Sequence, residues 1–262
     1  MKTSILIALY NAETTLDQTF ESLLKQTTQD FQIVAINDAS SDSTPEKLHA
    51  WQEKFGLNRF ILINNTANLG LTRSLNLGLS KIHTPYTARI DSDDWWEPSK
   101  LSEQIHFLEE HPDHGIVGTS YINHFENKKV TVKPPVSDLD IKATIFKRNP
   151  FAHSTVVFRT ELVQRLGGYD PTVRYGQDYD LWLRLLPVTC FANISTPLCH
   201  RHTLNTISST KQREQMLQCV KTQLKYLNLY RKPLSLYFYI LEPLLVAVTP
   251  AWIRTLKRKL SL

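Results

Sequence analysis

Tyr86-Thr87-Ala88-Arg89-Ile90-Asp91-Ser92-Asp93-Asp94-Trp95-Trp96 sets a short run that can be buried directly before three carboxylates. If the chain is extended through Asp93, side chains alternate between faces, and Asp91 and Asp93 leave the strand end on the same side. Two such carboxylates repel each other unless a cation sits between them. Hard oxygen ligands at this spacing suit Mg²⁺ or Mn²⁺, which also bind substrate phosphates. An isolated Asp-x-Asp is equally the mark of a solvated acidic turn that caps the next helix. The surrounding chain decides between the two.

Upstream, Ser4 to Leu9 is a continuous apolar run of the kind found in parallel sheets covered on both faces. Leu16, Phe20, Leu23 and Leu24 recur at helical spacing, and Gln32 to Ile36 is a second buried strand. Asn37-Asp38-Ala39-Ser40-Ser41-Asp42 follows as a polar loop, and Thr44-Pro45 has the form of an N-cap with proline at the first helical position. Leu48, Trp51 and Phe55 face that helix inward; Phe60 to Ile63 is a third strand, and Leu71, Leu75, Leu79 and Ile82 mark a third helix. The β-α-β-α-β-α-β order predicts a parallel sheet with right-handed crossovers. Ligands of such sheets bind beyond the carboxyl ends of the strands, where Asp38 and the Asp91/Asp93 pair both fall. There is no GxGxxG and no GxxxxGK[ST], so phosphates would be held by a metal rather than by a glycine-rich helix start.

Downstream the pattern predicts a helix over Ser99 to Glu110, a strand over Gly115 to Ile122 and its hairpin partner over Lys129 to Val132. A buried strand over Ser154 to Arg159 leads to a short helix ending at Gly167-Gly168. Asp178 to Leu186 forms a helix with Leu181, Trp182 and Leu185 inward. Short strands near Cys190 and Leu198 precede a polar helix from about Lys211 to Tyr230. From Leu234 the composition changes: two apolar runs are broken by Glu242-Pro243 and closed by Thr249-Pro250. Trp252, Ile253, Leu256 and Leu260 share one helical arc, opposite Arg254, Lys257 and Arg258. That pattern fits an in-plane membrane helix, and equally a C-terminal helix packed on the body with a solvated basic tip.

At 262 residues, 42% hydrophobic and 21% charged, the chain suits one large α/β domain. A net charge of +5, part of it at the C-terminus, excludes a broad basic face for nucleic acid. Cys190, Cys199 and Cys219 are widely spaced with no CxxC, which fits a reducing compartment and gives neither a disulfide framework nor a zinc site. The first apolar run is too short for a signal peptide, and no stretch of about 20 apolar residues could span a bilayer.

Five pieces in order carry a resemblance: Ile5 to Glu13, Ile36 to Asp42, Asn68 to Gly78, Arg89 to Asp94, and the late pair Leu166-Gly167-Gly168-Tyr169-Asp170 and Gly176-Gln177-Asp178-Tyr179-Asp180-Leu181-Trp182-Leu183-Arg184-Leu185. Together they resemble glycosyltransferase family 2, the inverting nucleotide-sugar transferases of the GT-A fold. The resemblance implies an α/β, mostly parallel Rossmann-like sheet flanked by helices. Residues 1–98 would form a nucleotide-binding half, 99–210 an acceptor half, and 211–262 a helical, membrane-associated extension. It implies that Leu9, Tyr10 and Glu13 begin the nucleotide pocket, that Asp38 accepts from the base, and that Arg73 lies near base and phosphates. Asp91 and Ser92 would meet the ribose or sugar. Asp93 would hold Mn²⁺ or Mg²⁺ on the diphosphate, while Asp94 could instead cap the following helix. Asp178 would be the catalytic base, although Gln177 stands where the family usually has glutamate; the same carboxylate could cap its own helix. Arg201 would close over the diphosphate, and His202, or else His200, would complete the metal sphere; His153 would line the acceptor side.

The implied partners are a nucleotide-sugar, UDP-linked by family habit, and a saccharide or lipid-linked saccharide acceptor, with no nucleic acid. The implied setting is cytoplasmic, on the inner face of a bacterial membrane, in surface polysaccharide synthesis. Two other readings stand beside it. A sugar nucleotidyltransferase would carry a glycine-rich loop with a basic residue after the first strand, where this chain has Tyr10-Asn11-Ala12-Glu13. A non-catalytic membrane scaffold would not need Asp38, Asp91, Asp93 and Asp178 together.

Overall fold

The computed structural model describes residues 1–203 and 211–249. Its first half follows the predicted alternation: β1 (Thr3–Leu9), α1 (Leu16–Leu24), β2 (Phe31–Asn37), α2 (Thr44–Phe55), β3 (Phe60–Asn64), α3 (Leu71–Leu79) and β4 (Tyr86–Arg89). Strands β3-β2-β1-β4 pair in parallel, with Leu9 beside Asn37 and Leu6 beside Arg89. The period of two along β1 separates two cores. Ile5, Ile7 and Leu9 join α1 and α2 through Phe20, Trp51 and Phe55, whereas Leu6 joins Leu75 and Leu79 of α3 on the other face.

The second half extends the same sheet in the order β4-β8-β6-β9-β5, with β7 on β6. These are β5 (Trp95–Trp96), β6 (His114–His124), β7 (Lys129–Val132), β8 (Val157–Arg159) and β9 (Cys190–His202). Between them lie α4 (Lys100–Glu110), α5 (Asp138–Thr144), α6 (Thr160–Arg165) and α7 (Gln177–Leu185). The expected short strands near Cys190 and Leu198 are one thirteen-residue strand, β9. Its Ser195-Thr196-Pro197 stretch reads as a break. The parallel ladder with β6 takes up the irregularity as register shifts at Thr119, Ser120 and Tyr121. The expected strand over Ser154 to Arg159 starts three residues late, because His153–Thr155 form a 3₁₀ turn.

The opening stretch also differs. β4 stops at Arg89, and the amide of Asp94 donates to the carbonyl of Asp91 at 3.3 Å, so the carboxylates sit on a turn. Their placement is set by that turn rather than by strand alternation.

The chain resumes as α8 (Gln212–Leu229), a 3₁₀ run over Leu234–Ile240 and α9 (Leu241–Val248). Tyr226 and Leu227 of α8 are buried against α7, where the Tyr226 hydroxyl donates to Asp180 at 2.8 Å. No helix among the described residues is long and apolar enough to cross a membrane. The expected amphipathic arc over Trp252 to Leu260 lies outside the described residues.

Candidate active site

The loops after β1 and β2 are stitched to each other and form one wall of a crevice at the carboxyl edge. Asn11 bonds both Ser40 and Ser41: its amide donates to Ser40 Oγ at 3.0 Å, and the Ser41 amide donates to Asn11 Oδ1 at 2.9 Å. The amides of Ala12 and Glu13 donate to Thr44 Oγ1 and Asp42 Oδ2, and Glu13 Oε2 accepts from the Ser43 amide. Asn11 has φ 50° and Ala39 φ 59°, and for the alanine this is a strained conformation of the sort kept at binding loops. Of the residues predicted to begin the nucleotide pocket, Leu9 is buried beneath the wall, Glu13 braces it, and Tyr10 stands 53% exposed on its rim.

Asp38 is 3% exposed, and its carboxylate accepts from the amides of Leu69 and Gly70 at 2.9 Å and from Asn65 Nδ2 at 2.7 Å. It therefore holds the loop that leads into α3. On that helix Arg73 points to solvent.

At the end of β4 the interior becomes polar. Arg89 is fully buried, and its Nη2 donates to Asp91 Oδ1 at 2.5 Å. Ser154 Oγ accepts from the Asp91 amide and donates to Asp91 Oδ2, and Trp96 Nε1 fixes the Ser154 carbonyl at 2.9 Å. Burial opposes the charge on Asp91, but the Arg89 guanidinium foremost, with Arg201, outweighs it and holds the carboxyl below the usual range. Asp93 has no such partner. Burial and then repulsion by Asp91 push its pKa up to about 6. Ser92 lies half-buried between them.

Asp94 turns inward and caps no helix. Its Oδ1 accepts from the His202 amide at 3.0 Å, its Oδ2 lies 3.8 Å from Arg201 Nε, and its carbonyl accepts from Thr19 Oγ1. It thereby ties the end of β9 to the carboxylate turn. The two histidines expected to compete for a metal are separated by this geometry. His200 is engaged by Glu97 Oε1 at 2.7 Å and His124 Nε2 at 2.9 Å, and it stacks on Trp95. The His202 ring has no hydrogen-bond partner among the described residues and lies near enough to favour the charged form of Asp93. Arg201 stacks over Tyr121 and leaves a buried Nε without a hydrogen bond.

Asp178 is the second residue of α7, one beyond Gln177 and two beyond Gly176 at the N-cap position. It is half-buried in the first turn, where the Tyr179 backbone favours its charged form, and Asn149 Nδ2 donates to its Oδ2 at 2.8 Å. Burial raises its pKa, and the charge of Asp91 raises it further. The two carboxylates therefore feel each other across one crevice. His153 is not on an open surface: it is buried, bonded to the Tyr169 hydroxyl at 2.9 Å, and lowered to about 3 by burial and by Arg89, so it is neutral.

Arg89, Ser154, Tyr169 and Asn149 belong to this crevice and were not singled out by their sequence positions. Only Arg89 left a legible signal, as a lone cation inside an apolar strand.

Among the described residues no group of three or more His, Cys, Asp or Glu is spaced to hold an ion by itself. What the chain offers a divalent cation is Asp93, a partly exposed carboxylate that no other residue's hydrogen bond neutralises, with His202 beside it. Such a donor set fits Mg²⁺ or Mn²⁺ held mostly by water and substrate phosphates, with one or two protein ligands.

Residues 4–166 match the family model described as Glycosyl transferase family 2. The chain is 31% identical over 258 residues to EpsE of Bacillus subtilis (strain 168), a protein provisionally named a glycosyltransferase, covering 95% of this chain and 90% of that one. It is 36% identical over 187 residues to the amylovoran biosynthesis glycosyltransferase AmsE of Erwinia amylovora, covering 70% and 69%. It is 32% identical over 190 residues to WfaP of Escherichia coli, named as a UDP-Glc:α-D-GlcNAc-diphosphoundecaprenol β-1,3-glucosyltransferase, covering 70% and 69%. The fold is that of TarS 1–349 of S. aureus in complex with UDP (TM-score 0.67, 18% identity, 85% of this chain and 65% of that one). It is equally that of the mannosyltransferase PcManGT of Pyrobaculum calidifontis in complex with GDP-Man and Mn²⁺ (TM-score 0.68, 19% identity, 92% and 68%). With a GT-A sheet, a family model matched over residues 4–166 and a relative 31% identical over 95% of the chain, this chain belongs to glycosyltransferase family 2 and is a glycosyltransferase.

Proposed function

We propose that the chain transfers a sugar, with inversion, from a nucleotide-sugar to an acceptor hydroxyl, and that it works in the synthesis of a bacterial surface polysaccharide. The observation that carries the reading is that two carboxylates on different elements, Asp93 without a neutralising partner and Asp178 held by Asn149, both feel the charge of Asp91 at the end of β4. One holds the leaving side and the other serves the attacking side.

Asp178 takes the proton from the acceptor hydroxyl as that oxygen attacks the anomeric carbon. Its raised pKa makes it a stronger base than a solvated aspartate, and Asn149 orients the carboxylate. Gln177 leaves it without a neighbouring charge. Asp91, held ionised by Arg89, receives ribose or sugar hydroxyls with Ser92. Asp38 meets the base at the far end, once it has ordered the Asn65–Gly70 loop, and Arg73 and Arg201 supply positive charge to the phosphates. Asp93 and His202 are the residues that would hold a divalent cation, which would supply charge neutralisation for the diphosphate. The face opposite that departure is left to the acceptor, so attack in line inverts the anomeric centre without a covalent intermediate.

Residues 1–98 carry the donor side and 99–210 the acceptor side in this reading. The donor is taken as a UDP-sugar, supported by the names of WfaP and TarS, while PcManGT was captured with GDP-Man. The acceptor is a saccharide, free or lipid-linked, as the diphosphoundecaprenol in the name of WfaP suggests.

The test is a thermal-shift screen of UDP-, dTDP- and GDP-sugars with and without Mn²⁺, followed by nucleoside diphosphate release with a lipid-linked saccharide. Stabilisation by one nucleotide class only with Mn²⁺, and acceptor-dependent release, are expected. Full activity in Asp178→Asn would overturn the assignment of the base.

A further inference from the structure

Helix α9 is built inside out. Its small residues, Pro243 and Ala247, are buried against the body, while Leu241, Leu244, Leu245 and Val248 form its exposed stripe. The spacing i, i+3, i+4, i+7 puts those four on one face. Phe238, 72% exposed, and Leu234 carry the same apolar surface back along the preceding 3₁₀ run. A contiguous surface of large apolar side chains on a soluble body marks a site that something covers.

The charge of the chain says what. Residues 211–262 hold ten Lys and Arg against two Asp and Glu, whereas residues 1–210 hold twenty against twenty-three. The positive excess therefore lies in the same segment of sequence as this apolar stripe, with Arg231 and Lys232 just before it and Arg254, Lys257, Arg258 and Lys259 after it in the chain. Apolar side chains flanked by cations match a surface whose interior is hydrocarbon and whose face is negative. A second copy of this chain would bring like charge against like.

We infer that Phe238, Leu241, Leu245 and Val248 are the insertion face by which this enzyme docks on an anionic lipid bilayer, with the basic charge of the same segment drawing it to the headgroups. The same surface is joined through α8 to α7, because Tyr226 and Lys225 of α8 both bond Asp180. Docking would then present α7, with Asp178 in its first turn, to an acceptor held in the membrane, a consequence that rests on the transferase reading above.

The experiment is flotation of the full chain with vesicles of phosphatidylcholine alone and with 30% phosphatidylglycerol (about a third anionic, near the range in which basic segments bind). The wild type is expected to float with the anionic vesicles only. The Phe238→Ser/Leu241→Gln/Leu245→Gln variant should lose at least tenfold in partitioning, with an unchanged melting temperature. Should the triple variant melt early, Leu245→Gln alone is used, with about threefold expected. Equal partitioning of variant and wild type overturns the proposal, as does failure of the wild type to float. So does light scattering that finds a wild-type dimer which the variant turns into a monomer. Asp178→Asn should float like the wild type, so vesicle binding is read apart from turnover and either idea can fail alone.

Discussion

Asp93 pays the electrostatic cost of the crevice. With its pKa raised from 3.8 to about 6, its charge costs nothing below the unfolded value, opposes folding increasingly between the two, and carries its full cost above about 6. Asp93→Asn should therefore raise the melting temperature at pH 7.5, by an amount on the order of 1 kcal/mol after allowance for its partial exposure, while abolishing Mn²⁺-dependent transfer. Differential scanning fluorimetry and an activity assay on the same preparation decide this, and loss of stability would sink the argument. The wild type should be stabilised by Mn²⁺ at pH 7.5 and much less at pH 5, where protons compete for the carboxylate. For Asp178 the sign works on rate: a base with a raised pKa is lost as pH falls through that value, so the acid limb of kcat should lie above the ordinary aspartate range. Asp178→Asn should cost about 10²-fold or more in kcat and leave the donor-induced thermal shift in place.

At the scale of elements, close approach sets the sensitive positions. Gly78 lets α3 lie flat on the sheet, since a Cβ there would fall 2.4 Å from Leu6 Cδ1 and 2.5 Å from Ile36 Cδ1. Gly78→Ala should cost about 1–3 kcal/mol despite its better helix propensity, measured by urea unfolding. Helices α7 and α8 are joined through Asp180, fully buried, which takes bonds from Arg184, Lys225 and Tyr226. Asp180→Ala strands those donors and should cost about 3 kcal/mol, because breaking a buried charge network leaves its partners uncompensated. The first-half elements were legible because each carries one period: continuous apolar runs for β1 and β2, and a spacing of three and four for α1 to α3. β9 was not, because its strand pairing comes from β6 and not from its own alternation. β4 was read too long, because Ile90 is apolar and nothing local marks the turn that follows.

Across the whole molecule one sheet carries both halves, so strand order brings the carboxylate turn after β4 beside Arg201 and His202 at the end of β9. Chain ending at residue 210 should be insoluble or unfold at a much lower temperature, because α8 covers α7 with Tyr226 and Leu227. Solubility and circular dichroism of that truncation provide the check. Local pattern alone determined that the chain starts as alternating strands and helices in a parallel sheet, and that acidic residues end two of its strands, since periodicity and composition are properties of neighbours in sequence. It marked Asp91 and Asp93 as a candidate cation pair, but it could name Asp178, Arg201 and His202 only through resemblance. Only the tertiary structure decided that Asp91 is bound to Arg89 while Asp93 is left unshared, that His200 is committed to Glu97 and His124, and that the leucines of α9 face outward. Charge compensation and burial depend on residues distant in the chain, and no local pattern encodes which of them arrive.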